Sequence, residues 1–153
     1  MEDVWLYPRP PAIEPVAKTL RVVFAGRTIA ETAAAWRILE TTHPPVYYLP
    51  REAFTGCVLE AAAGGSLCEW KGRASYWTIR AGDRKAERAA WSYAAPLHPY
   101  EAITDHLAVY AGAMDACFVG DEQARPQPGG FYGGWITGDL KGPFKGEPGS
   151  MGW

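Results

Sequence analysis

The sequence has few cysteines and no cysteine pattern that would build a metal site or a disulfide framework. Cys57, Cys68 and Cys117 are spread over 153 residues, without a C-x-x-C pair or a Cys/His spacing of the zinc type. Three separated thiols are typical of a reduced protein, so we expect a cytoplasmic location. A chain of this length forms about one domain and buries roughly 68–70% of its unfolded surface, so it needs no such cross-links.

Other absences exclude whole classes of function. No apolar run approaches the roughly 18 residues of a membrane-spanning helix, and the first residues lack the basic and apolar segments of an export signal, so we expect no membrane partner. The formal net charge of −2 and the pI of about 5.9 give no basic surface for a nucleic acid. The phosphate-binding signatures G-x-x-x-x-G-K-[ST] and G-x-G-x-x-G are also missing.

Two short segments raise the question of a metal. Gly64 to Ser66 could open a nucleotidyltransferase loop, but no D-x-D pair follows to hold magnesium. A separate cluster of two histidines and two carboxylates would allow a site with two His ligands and one carboxylate, although a solvated surface loop is the favoured interpretation. That cluster comprises His98, Glu101, Asp105 and His106. The sequence therefore predicts neither a metal nor a cofactor.

Short apolar and aromatic runs are abundant and favour β-strands. The segments LRVVFAG, PPVYYLP, WKGRASYWTIRAGD and RAAWSYAAP predict strands, because β-branched and aromatic residues alternate between turn signals. The segment RTIAETAAAWRILE is ambiguous, and its composition favours a helix. The segment REAFTGCVLEAAAGG is expected to begin with a helical turn and to end at Gly64 and Gly65.

The two ends of the chain differ from its middle. Four prolines between residues 8 and 15 predict an extended arm over residues 1–15, followed by a domain over residues 16–128. Residues 129–153 hold nine of the seventeen glycines together with spaced aromatic rings, so we expect this segment to wrap over the domain or over a partner subunit. Disorder of this segment is the alternative.

The segment CEWKGRASYW is the strongest candidate for a binding site. Strand alternation would place Lys71, Arg73, Ser75 and Trp77 on one face, where two cations and an indole could hold a planar anion. The alternative is an exposed edge strand whose cations prevent aggregation. The candidate ligand-binding residues elsewhere in the chain are Tyr47, Tyr48, Arg51 and Trp91.

Candidate catalytic groups fall in the same blocks. Cys68 beside Lys71 could be a nucleophile with a lowered pKa, although Glu69 would oppose that shift. The hydroxyl groups of Ser75, Tyr76 or Tyr93 could donate hydrogen bonds or a proton. Asp115 or Glu101 could be the base. No ordered Ser/His/Asp or Cys/His array is present, so acid–base chemistry on a small metabolite is favoured over covalent catalysis.

Four ordered blocks resemble a known family. HPPVYYLPREAF, CEWKGRASYW, AAWSYAAP and GGWITGDLKGPFKGEPGSMGW are similar to the family of domain of unknown function 427, which also carries a nucleotidyltransferase-like name. The resemblance spans about residues 16 to 153. The family's C-P-Y-K-G pattern matches at Cys68, Lys71 and Gly72, while Glu69 and Trp70 replace its proline and tyrosine.

The resemblance implies a fold but no activity. It implies a mainly β protein, a compact antiparallel two-sheet domain of the β-tent type with short helical turns, so that Thr28 to Glu40 would form strands. Zinc-binding relatives of that type use paired C-x-x-C motifs, so the resemblance does not imply zinc here. We expect a pocket for a small anionic or aromatic metabolite. The alternatives are an interaction module, with a possible homodimer, and a structural domain without a ligand.

Overall fold

The computed structural model describes residues 1–153 and consists of short strands joined by turns. Its only helical segments are four 3-10 turns of three residues each, at Val4–Leu6, Arg51–Ala53, Glu101–Ile103 and Ala111–Ala113. None of these segments has the length and apolar character needed to cross a membrane. The strands are β1 (Glu2–Asp3), β2 (Ala12–Pro15), β3 (Leu20–Phe24), β4 (Arg27–Thr32), β5 (Trp36–Leu39), β6 (Val46–Pro50), β7 (Val58–Cys68), β8 (Gly72–Ala81), β9 (Arg84–Tyr93), β10 (His106–Val109), β11 (Ala116–Val119), β12 (Glu122–Gln123), β13 (Arg125–Pro126), β14 (Trp135–Ile136) and β15 (Leu140–Lys141).

Two larger antiparallel sheets organise these strands. The first has seven strands in the order β2, β5, β6, β10, β9, β8, β7, and the second has four in the order β12, β11, β3, β4. Strands β13 and β14 form an antiparallel pair, whereas β1 and β15 run parallel and join the two ends of the chain. The prediction of a mainly β fold with short helical turns is confirmed.

The segment from Arg27 to Leu39 forms two strands, so the helix favoured by its composition is wrong. Strand β4 pairs with β3, and β5 pairs with both β2 and β6. Burial of Ile29, Ala30 and Ile38 in two hydrophobic clusters outweighs the helical preference of the alanines. The family resemblance implied this result.

The segment expected to end at Gly64 and Gly65 forms strand β7, which continues to Cys68. A register shift between Ala61 and Gly65 interrupts the pairing of β7 with β8, and Gly64 has a φ of +86° there. Glycine adopts that conformation without strain. The extra residues of β7 therefore form a bulge, and the pairing with β8 resumes beyond it.

The main core lies between the seven-stranded and the four-stranded sheets. Leu20 and Val22 from β3 meet Leu49 from β6, Ile79 from β8 and Leu107 from β10, and all five are fully buried. Burial of apolar area at about 25 cal/mol per Å² makes this cluster the chief source of stability. Trp135, from the glycine-rich segment, completes the cluster.

A second cluster occupies the opposite face of the seven-stranded sheet. It contains Tyr48 from β6 and Trp91 and Tyr93 from β9, together with Tyr100 and Ile103. Neighbouring residues of a strand point to opposite faces, so Tyr47 enters the main core while Tyr48 belongs to this aromatic cluster. The aromatic residues of the sheet are thereby concentrated on the face that does not meet the four-stranded sheet.

The glycine-rich segment packs on the domain through buried groups. Trp135 is 1% exposed, and its Nε1 donates a hydrogen bond of 2.9 Å to the carbonyl oxygen of Val109. Near the end of this segment, the ring of Trp153 lies 5.0 Å from that of Trp5. Both ends of the chain therefore contribute to the same aromatic side of the molecule.

Candidate functional site

A cavity of about 640 Å³ opens on the aromatic face of the seven-stranded sheet. Its size lies within the usual range of small-molecule sites. Five parts of the chain build its walls: the sheet itself, the turn between β7 and β8, the loop between β5 and β6, the N-terminal arm and the glycine-rich segment. The lining residues include Arg9, Glu40, His43, Tyr48, Ser66, Cys68, Glu69, Trp70, Lys71, Tyr76, Trp91, Tyr93, Tyr110, Gly133, Lys145 and Trp153.

Lys71 places a charge in this cavity without a protein partner. It lies in the turn between β7 and β8, is only 9% exposed, and its ammonium forms no ion pair and no hydrogen bond with another group of the protein. The Nζ atom lies 5.9 Å from the centre of the Tyr93 ring, at the outer limit of a cation–π contact. The Nζ atom is not fully buried and faces the cavity without a counter-charge, so an anion in the cavity could pair with it.

The other two cations at the cavity are already engaged. Arg9 donates hydrogen bonds to the Glu40 carboxylate at 3.2 Å and to the carbonyl oxygen of Thr41 at 3.0 Å. The Nζ atom of Lys145 donates to two carbonyl oxygens of the glycine-rich segment, those of Met151 and Trp153, at 3.0 Å each. Of the three cations, Lys71 alone has no hydrogen-bond or ion-pair partner in the protein.

Aromatic side chains line the same cavity as this ammonium. The rings of Tyr48 and Tyr93 lie 6.3 Å apart, and those of Trp91 and Tyr110 lie 4.6 Å apart. Burial raises the pKa of Tyr48 and of Tyr93, and it raises the pKa of Tyr110 to about 12. These three phenols therefore stay protonated at neutral pH and can donate hydrogen bonds, but their raised pKa values oppose the release of a proton, and they cannot act as bases.

A polar corner lies beside the aromatic wall. The Nδ1 atom of His43 is 3.1 Å from Nε2 of Gln127, and its Nε2 atom is 3.7 Å from a carboxylate oxygen of Glu40. Burial lowers the pKa of His43 to about 4, because the charged imidazolium would lose its hydration. The sequence patterns did not identify this corner. The available signal was the position of His43 directly before Pro44 and Pro45, which fix the entry into β6.

The structure separates the four residues that strand alternation grouped together. Lys71 precedes β8 and lines the cavity, whereas Arg73 and Ser75 are exposed and do not line it. Tyr76 pairs with Trp91 and Ala74 with Tyr93, so the even-numbered residues at this end of β8 face the cavity. The predicted face of β8 therefore does not line this cavity, because Lys71 lies in a turn and does not continue the alternation.

Three further candidate ligand residues also lie away from the cavity. Trp77 donates through Nε1 to the Ser92 hydroxyl at 2.9 Å, and the Arg51 guanidinium stacks on its ring at 4.5 Å. Tyr47 packs in the main core against Trp135, with their ring centres 5.3 Å apart. The structure thus gives these three residues packing contacts and does not place them around the Lys71 ammonium.

The candidate catalytic residues divide in the same way. Cys68, Tyr76 and Tyr93 line the cavity, and the Tyr76 hydroxyl lies 3.0 Å from that of Ser66. Asp115 is elsewhere, where it accepts hydrogen bonds from the Gly26 amide at 3.0 Å and from Arg84 at 2.7 Å. The hydrogen bond from Gly26 has the larger effect, and together with the bond from Arg84 it lowers the pKa of Asp115. It is therefore a turn-stabilising group and a poor candidate for a base.

The acidic and histidine cluster lies on the surface, away from the cavity. Glu101 contacts His98 at 2.9 Å, and both side chains are largely exposed. No group of three or more His, Cys, Asp or Glu side chains is arranged to hold a metal ion. The cavity therefore brings together one ammonium without a protein partner, several protonated phenols and three indoles, without a metal cluster.

Fold and site together define a mainly β protein with an aromatic cavity around a buried lysine. The chain belongs to a family described as a domain of unknown function, DUF427, whose model matches residues 12–120. The match covers β2 to β11, which include most of the seven-stranded sheet and the turn that carries Lys71. A search of curated proteins found no match.

Proposed function

We propose that this protein binds a small planar anion, of the aromatic carboxylate type, in the cavity around Lys71. The observation that carries the proposal is Lys71, a residue that is 9% exposed overall and whose ammonium lines the cavity without a partner in the protein. A bound carboxylate would supply the missing counter-charge through a charge-assisted hydrogen bond. The rings of Trp91, Tyr93 and Tyr48 would then contact the planar part of the ligand.

The charge of the site favours a monoanion. Three cations, Arg9, Lys71 and Lys145, and two carboxylates, Glu40 and Glu69, line the cavity, so one positive charge remains to be balanced by the ligand. Glu40 and Glu69 also line the cavity, and their negative charges would oppose a dianionic phosphate. Burial raises the pKa of Tyr93 and keeps the phenol protonated, so Tyr93 would act on a bound molecule as a hydrogen-bond donor.

Calorimetric titration with a small panel tests the proposal. The panel contains benzoate, 4-hydroxybenzoate, 4-acetylbenzoate and indole-3-carboxylate, each with its neutral amide as a control. We expect at least one carboxylate to bind and its amide not to bind. Lys71→Met should weaken that binding by about tenfold or more, because a hydrogen bond to a charged group contributes about 1.5–3 kcal/mol.

Arg73→Met is the matched control, since it removes an exposed cation two residues further on that does not line the cavity. The affinity of this variant for the bound carboxylate should stay within about threefold of the wild-type affinity. Failure of every carboxylate to bind, or equal losses in the two variants, would contradict the proposal. Such a result would favour the non-enzymatic interaction module, which needs no small ligand.

A further inference from the structure

The orientation of the Gln127 side-chain amide is fixed by two backbone groups. Its Oε1 accepts a hydrogen bond of 3.0 Å from the Gly134 amide, and its Nε2 donates one of 2.9 Å to the carbonyl oxygen of Lys145. A backbone N–H can only donate and a backbone carbonyl can only accept, so the reverse orientation is excluded. Gln127 is 3% exposed, and water does not compete for these bonds.

This orientation decides which nitrogen of His43 carries the proton. The second N–H of Gln127 Nε2 points to Nδ1 of His43 at 3.1 Å, so Nδ1 must present its lone pair. A neutral imidazole has one acceptor nitrogen and one N–H, which places the proton on Nε2. The nearest carboxylate oxygen, from Glu40, lies 3.7 Å from Nε2, beyond hydrogen-bond range, so the N–H remains available.

We propose that His43 is a specificity-determining residue that offers a fixed Nε2–H donor to the ligand, with Gln127 as its positioning residue. This inference rests on the proposed function, because it names a second requirement of the same ligand. Besides its anionic group, the ligand carries a hydrogen-bond acceptor, such as a carbonyl oxygen or an unprotonated ring nitrogen. His43 does not serve as a general base, since its one acceptor lone pair, on Nδ1, already accepts the hydrogen bond from Gln127.

The surroundings of His43 keep the ring neutral. Glu40 is the one acidic group that acts on it, whereas the charges of Arg9, Lys71 and Lys145 oppose a further positive charge. The Tyr132 ring meets the imidazole edge to face, with the ring centres 4.7 Å apart. Protonation at Nδ1 would also set an N–H against the amide group of Gln127. The donor therefore persists through the physiological pH range.

The tautomer can be read directly from the nitrogen spectrum of the unliganded protein. The chain has three histidines, and the His43 signals are those lost in His43→Gln. Long-range proton–nitrogen correlation at pH 7 should show a protonated Nε2 and an unprotonated Nδ1. A proton on Nδ1, or an imidazolium at this pH, would overturn the inference. In Gln127→Leu the fixed tautomer should give way to a mixture.

The ligand contact is tested with two probes of similar shape, 4-acetylbenzoate and 4-isopropylbenzoate. The acetyl group carries an acceptor, so it should bind about two- to tenfold more tightly to the wild type. His43→Gln, whose amide can supply an N–H, should keep this preference, whereas His43→Phe should lose it. A preference that is absent in the wild type, or that survives in His43→Phe, would overturn the contact.

The two proposals fail in different ways. If neither probe binds, the proposed anion site at Lys71 is contradicted, and the ligand contact of His43 with it. The tautomer of His43 is decided by the nitrogen spectrum alone. Binding that depends on Lys71 but shows no preference for the acetyl probe would leave the anion site intact and refute only the role of His43.

Discussion

Lys71 combines a charge, a largely buried side chain and the lack of a protein partner, which is an unfavourable combination for a residue that only supports the fold. Lys71→Met keeps most of the volume and removes the charge. We therefore expect the free energy of unfolding to stay unchanged or to rise by up to about 2 kcal/mol. Urea denaturation without ligand measures the free energy of unfolding. In the control Arg73→Met, this free energy should change by less than about 0.5 kcal/mol. A loss above about 1 kcal/mol in Lys71→Met would show that the ammonium stabilises the fold.

The buried imidazole of His43 predicts a pH-dependent stability. Its pKa falls from an ordinary 6.5 in the unfolded chain to about 4 in the folded protein. Below pH 6.5 the unfolded chain binds the proton first, so stability is lost as the pH falls toward 4. The loss between pH 7 and pH 5 should be about 2 kcal/mol.

Comparison with His43→Gln isolates this contribution from that of the carboxylates. Urea denaturation at pH 7 and pH 5 should show a smaller loss in the variant, because glutamine does not titrate. Equal losses in the two proteins would mean that the imidazole is protonated as easily in the folded state as in the unfolded chain.

At the scale of elements, the sequence predicted the strands better than their faces. Alternation and turn signals located β3, β6, β8 and β9, and Trp91 and Tyr93 do share a face. The face of β8 was misassigned because alternation was extended to Lys71, which lies in a turn. His43 and Gln127 were missed because no local period relates a residue before β6 to one in the loop after β13; only the fold brings them together.

The glycine-rich segment forms one wall of the cavity by lying flat against Trp91. A methyl group on Gly133 would lie 2.7 Å from Cζ3 of the Trp91 ring and closer still to Cη2. Gly133→Ala should therefore lower the free energy of unfolding by about 1–3 kcal/mol, as overpacking does. Thermal or urea denaturation checks this.

Gly152→Ala is the control for that substitution, because nothing lies within 4 Å of the added methyl group there. Trp91→Phe removes the part of the indole that would collide, so it should relieve most of the loss in the double variant. If Gly133→Ala is as stable as Gly152→Ala, the segment does not pack on Trp91 in the way described.

For the whole molecule, the glycine-rich segment belongs to the fold although it is remote in sequence from the strands that it covers. Trp135 is 1% exposed in the main core and donates to Val109, so Trp135→Ala should cost about 3–5 kcal/mol. Trp5→Ala, at a tryptophan that is 41% exposed, should cost markedly less. Urea denaturation of both variants and of the wild type measures these losses in the free energy of unfolding. Equal and small losses would mean that the segment is an appendage that the domain does not need.

The central claim is that the molecule folds around a cavity whose free ammonium, Lys71, binds a small anion. Native mass spectrometry of the protein after incubation with a metabolite extract tests it most directly. The account predicts a discrete added mass on the wild type and on Arg73→Met that is absent from Lys71→Met. No added mass on the wild type, or the same added mass on all three proteins, would contradict it.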